Sequence, residues 1–116
     1  MEIKVIKNSI SRRELINMAS EGFGDIIKAV VDVEREIMAV GGELHSDEEV
    51  LLTEKEGSRR ENTWGINIYP NKSTEDMIKF DSMINLKPAL GNRSREVENP
   101  EIREKIKSIV RKLITD

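Results

Sequence analysis

The chain has 116 residues, enough for a single domain with a core of its own, and no cysteine, which excludes disulfides, cysteine-ligated zinc, iron–sulfur clusters and thiol nucleophiles. Acids and bases nearly balance at a net charge of −3, and only 3% of residues are aromatic, so neither the basic field nor the stacking side chains of a nucleic-acid binder are there. No apolar run approaches the roughly 20 residues that span a bilayer.

The opening segment, MEIKVIKNSI, is too polar and too poor in small residues for a signal peptide. Together with the absence of cysteine, that places the protein in the cytoplasm. Residues 2–6 alternate and predict a short strand, at an edge because Lys4 and Lys7 discourage pairing with another chain. Ser11-Arg12-Arg13-Glu14 has the form of a capping box, and Ile10 and Leu15 stand at the positions of a hydrophobic staple. A helix over 11–21 follows, burying Leu15, Met18 and Ala19, with Gly22 as a left-handed stop.

The valine-dense stretch from Ile26 to Val40 predicts a hairpin turning near Glu34–Arg35, with a continuous helix over 25–38 as the rival reading. Gly41-Gly42 ends it. Ser46-Asp47-Glu48-Glu49 repeats the capping-box pattern and predicts a helix over 46–56. Val50, Leu51 and Leu52 would form its apolar face, and Gly57 would close it before a solvated loop. Trp64, Ile66 and Ile68 then alternate in a half-buried strand that Pro70 breaks. A second strand over Met77–Lys87 would bury Ile78, Phe80, Ile84 and Leu86. Last, Asn99 and Pro100 open a helix over 99–114 whose stripe is Ile102, Ile106, Ile109, Val110 and Leu113, with Glu101 and Lys105 spaced for an ion pair.

The predicted fold is therefore α+β, a single domain over 1–116. It has a mostly antiparallel sheet of about five strands, and helices 11–21, 46–56 and 99–114 lie mainly on one face.

If Trp64, Ile66, Phe80 and Ile84 share the buried face, then Asn67, Tyr69, Asp81 and Asn85 share the other. Amides and carboxylates are poor strand formers, so such a row is either a wet surface or a set of fixed hydrogen-bonding groups. The loop Gly91-Asn92-Arg93-Ser94-Arg95 follows directly. Its guanidinium forks suit phosphate or carboxylate, although for the loop alone an ordinary surface loop with its arginines paired to Glu96 and Glu98 is the favoured reading. His45 is the only histidine, which excludes a multi-histidine metal site. Glu43, His45 and Asp47 are spaced too loosely to predict a metal, and no cofactor is expected. Without a Gly-x-Ser-x-Gly elbow, Ser82 or Ser94 would act as a nucleophile only if the fold brought His45 to it.

In GGELHSDEE (41–49), WGINIYP (64–70), FDSMINLKP (80–88), GNRSR (91–95) and the final NPEIREKI, the chain resembles a small family of bacterial and archaeal domains of unknown function. The resemblance covers nearly the whole chain and implies a shared fold, but it brings no assigned activity and no catalytic residue.

Two functions follow from the residues. In the first, a small anionic ligand, with or without catalysis, binds among Asn67, Asp81, Asn85, Asn92, Arg93, Ser94, Arg95 and His45. In the second, an uncovered sheet face bearing Tyr69 and Met83 is a homodimer or partner interface without a small-molecule site. No membrane association is expected.

Overall fold

The hairpin, the alternating Trp64 strand and the two well-capped helices all form, and the computed structural model describes them within residues 2–116. In chain order the elements are β1 (Lys4–Ile6), β2 (Ile10–Ser11), α1 (Arg12–Glu21), β3 (Ile27–Asp32), β4 (Ile37–Val40) and α2 (His45–Glu56). After these come β5 (Thr63–Ile68), β6 (Ile78–Lys79), α3 (Pro100–Leu113) and β7 (Ile114–Thr115). The fold is α+β, with a five-stranded antiparallel sheet in the order β1-β4-β3-β5-β6. A separate parallel pair, β2 with β7, ties the end of α3 to the start of α1.

Strand alternation divides the buried side chains between two faces. Ala29, Val31, Met38, Val40, Trp64, Ile66 and Ile68 pack with Leu15 of α1 and with Ile106, Ile109, Val110 and Leu113 of α3. Val30, Ile37 and Ala39 lie on the opposite face with Leu52 of α2, partly screened by Ile3, Val5 and Ile84. Two of the three helices share one face. The third closes the other, so the central strands are buried on both sides and read as near-continuous apolar runs. The sheet face left open in the interface reading is thus covered by α2.

Local signals explain the ends of the elements. The Ser11 hydroxyl accepts the Glu14 N–H at 3.0 Å, and the Asn99 side chain accepts the Glu101 N–H at 2.8 Å. Asp32 turns the hairpin by accepting the N–H groups of Glu34 and Arg35 at 2.9 and 3.0 Å.

Five expectations are corrected. Gly22 ends α1 without a left-handed backbone, its φ being −111°; Gly24 takes the positive φ instead. Helix α2 begins one residue early, with Leu44 and not Ser46 at its N-cap. The Met77–Lys87 strand is paired only at Ile78–Lys79, and Met83–Asn85 form a 3-10 turn. That turn sends Phe80 and Ile84 to opposite faces of the sheet. Lys105 pairs with Glu36 of the hairpin at 3.1 Å, not with Glu101.

Candidate functional site

A helix packed on a sheet normally buries an apolar stripe. The buried side of α2 instead carries His45, Glu48, Glu49 and Leu52 at spacing i, i+3, i+4, i+7, while Val50 is exposed. Glu49 is compensated: Thr63 Oγ1 donates to it at 2.7 Å, and Lys87 Nζ and Arg60 Nε stand 3.8 and 3.9 Å away. Glu48 is not. It is fully buried, its Oε2 accepts the Gly42 N–H at 2.9 Å, and its Oε1 has no partner among the described residues. Burial pushes its carboxyl well above the usual carboxylate range, with the Gly42 N–H opposing.

One turn earlier, His45 stands at the mouth of a cleft of about 210 Å³ that also includes Lys28, Leu44, Asn67, Asp81, Met83 and Arg95. Its Nε2 lies 2.8 Å from the Ile66 carbonyl, which can only accept, so Nε2 carries the proton. Burial holds the imidazole below its ordinary 6.5 despite that bond, and Lys28 adds to the effect. The ring is therefore neutral near pH 7, and Nδ1 keeps a lone pair.

Gly65 makes this approach feasible. A β-carbon there would stand 2.5 Å from Ser82 Oγ and 3.1 Å from His45 Cδ2, so any side chain would push both away. Ser82 and His45 are brought together, but not as a nucleophile and its base. The imidazole edge near Ser82 is the Nε2 side, which is committed to Ile66, and Ser82 Oγ accepts the Ile84 N–H.

The predicted site residues separate into three groups. His45, Asn67, Asp81 and Arg95 meet in the cleft. Arg95 Nε donates to Asp81 Oδ1 at 2.7 Å, and Asn67 Nδ2 donates to the Asp81 carbonyl at 3.1 Å. The Oδ1 of Asn67 is shielded from solvent and has no partner among the described residues. Asn85 and Asn92 serve the backbone. Asn85 accepts the Gly65 N–H at 2.8 Å and donates to the Gly65 and Arg95 carbonyls at 2.9 and 3.0 Å. Asn92 donates to the carbonyls of Asn85, Ser94 and Glu96 and accepts the Glu98 N–H. Arg93 and Ser94 lie outside the cleft lining, near Glu98: the Arg93 N–H donates to its Oε2 at 3.0 Å, and Ser94 helps hold its carboxyl below the usual range.

Two cleft residues escaped the sequence reading. Lys28 stands opposite Asn67 across the β3–β5 ladder and makes no ion pair among the described residues. Its nearest special contact is the Phe23 ring, 5.2 Å away. Leu44 caps α2 with a side chain that accepts nothing, leaving the first N–H groups of the helix without a side-chain partner. A lysine in a buried strand next to an alternating partner was the available signal for the first. Among the described residues no cluster of three His, Asp or Glu side chains could hold a metal ion.

The family described as "Protein of unknown function (DUF5674)" matches residues 4–113. The chain belongs to this family. No curated protein and no solved structure matches the chain.

Proposed function

We propose that the protein binds a small organic anion in the cleft between the start of α2 and the Asp81–Arg95 segment. The observation that carries this reading is the convergence of Lys28, His45, Asn67 and Arg95 around one opening that holds a single carboxylate, Asp81. Asp81 offsets Arg95, and Lys28 remains without an ion pair, so the opening keeps one net positive charge. The start of α2, which has no side-chain cap, also favours negative charge. A volume of about 210 Å³ falls below the range of drug-sized pockets, roughly 300–1,000 Å³, which fits a ligand of metabolite size. The buried Oδ1 of Asn67 calls for a donor, supplied by an ordered water or by a hydroxyl on the ligand.

Binding is a sufficient account of these residues. Among the described residues lining the cleft, His45 Nδ1 is the group suited to proton transfer. Self-association, the second reading from the sequence, loses the open sheet face it was built on, since α2 covers that face. The four segments GGELHSDEE, WGINIYP, FDSMINLKP and GNRSR each contribute a cleft residue, and we take them to mark the family in bacteria and archaea. The cytoplasm is the proposed location, on the cysteine-free composition alone.

Titration with lactate, followed by amide and imidazole NMR signals, tests the proposal. The signals of His45, Asn67 and Arg95 should move together, and Lys28→Gln should abolish the response while Arg93→Ala leaves it intact. Equal responses in the two variants would remove Lys28, and with it this site, from the reading.

A further inference from the structure

The two most exposed large apolar side chains of the described residues are Met83, at 61%, and Leu44, at 54%. Single exposed apolar residues are ordinary and need no explanation. These two, however, come from positions 39 residues apart and line the same small cleft, together with Ile84, which packs against the α2-side core. Leu44 also breaks a local rule. Leucine is among the poorest N-cap residues, because it cannot accept the helix N–H groups. Met83 begins a 3-10 turn in which Ser82 Oγ accepts the Ile84 N–H and the Asn85 amide bonds the backbone, while the Met83 side chain stands exposed at the cleft. Local rules tend to be broken where function compensates.

We infer that the ligand of this cleft is a carboxylate carrying a short apolar side chain, its headgroup between Lys28 and Arg95 and its chain lying over Leu44 and Met83. The inference rests on the anion-binding reading and adds the class of ligand. Charge complementarity orients the molecule. The cationic groups come from β3 and the Arg95 segment, and the apolar pair from the helix start and the 3-10 turn, so an amphipathic molecule matches both kinds of lining at once. A plain inorganic anion would leave Leu44 and Met83 wet, and an uncharged hydrocarbon would leave Lys28 unpaired. A hydroxyl beside the carboxylate would also supply the donor that Asn67 Oδ1 lacks.

Calorimetric titration with 2-hydroxy-4-methylpentanoate, its uncharged amide and lactate separates these contributions. The branched acid should bind about tenfold more tightly than lactate, the gain from covering roughly two methylene groups. The amide should bind at least tenfold more weakly than the acid. Met83→Ser and Leu44→Asn should each reduce the preference for the branched acid over lactate at least threefold. Leu44→Asn should at the same time raise the melting temperature, since it supplies the missing cap, so its loss of affinity would not reflect misfolding. Equal affinity for lactate and the branched acid would overturn the apolar half while leaving anion binding in place. No binding of either acid would overturn both.

Discussion

The two faces of the sheet are closed by helices with the same spacing and opposite chemistry. Helix α3 presents Ile106, Ile109, Val110 and Leu113; helix α2 presents His45, Glu48, Glu49 and Leu52. Both sets follow i, i+3, i+4, i+7. The first gains stability by removing apolar surface from water and can do little else. The second needs partners for each polar group, and it finds them for Glu49 but only half for Glu48. The apolar face is therefore a scaffold. The polar face spends stability to hold ionisable groups at fixed positions beside an opening, and it is there that a ligand can be recognised.

The largest expected effect tests whether polar contacts carry as much of the fold as apolar ones. Asn85→Ala removes three hydrogen bonds and leaves buried groups of Gly65 unpaired, which should cost about 4 kcal/mol in urea denaturation. Ile106→Ala on the opposite face should cost about 3 kcal/mol. A loss below about 1 kcal/mol for Asn85→Ala would mean that water replaces the amide and that the polar face is not structural.

Next comes Glu48. Its folded pKa lies above its ordinary 4.5, so its contribution to stability is complete below pH 4.5 and is lost as the pH rises through the folded value. Glu48→Gln should accordingly stabilise the protein by at least about 1 kcal/mol at pH 8 and give no gain at pH 4. His45 runs the other way. Its folded pKa lies below 6.5, so its contribution is present above pH 6.5 and lost as the pH falls through the folded value. With Glu48 removed, the midpoint denaturant concentration should therefore decline below pH 6.5, and His45→Gln should flatten that decline.

Leu44→Asn should stabilise α2 by about 1 kcal/mol by providing the missing cap. The smallest effect belongs to the exposed Arg95–Asp81 pair. Arg95→Ala should change stability by no more than about 0.5 kcal/mol, yet it should weaken anion binding, which Arg93→Ala should not.

Where the sequence could be read, a residue's local role matched its neighbours. Ser11 and Asn99 cap the helices they precede, and the valines of β3 and β4 pair as a hairpin because no competing use exists for them. Ser46 resembled a cap for the same reason, but the helix already includes His45, whose ring hydrogen-bonds the Ile66 carbonyl of β5, a tertiary contact invisible to local sequence. The buried side of α2 was hidden since Glu48 and Glu49 look like solvated charges until the sheet is placed beneath them. Alternation correctly separated Asn67 and Asp81 from the core. It failed at Asn85, because the 3-10 turn at Met83 ended the period of two before that residue was reached. Lys28 was passed over inside an apolar run, where its charge is visible only once Asn67 stands opposite.

Asn85 has a consequence for life in a crowded solution. Strand β6 pairs with β5 only at Asn67 and Ile68, so the outer edge of β5 would otherwise offer the Gly65 N–H and carbonyl to any passing strand. The Asn85 amide takes both, as a neighbouring peptide group would. One side chain thus stands in for a continuation of β6 and covers the stretch of β5 edge that this short strand does not reach.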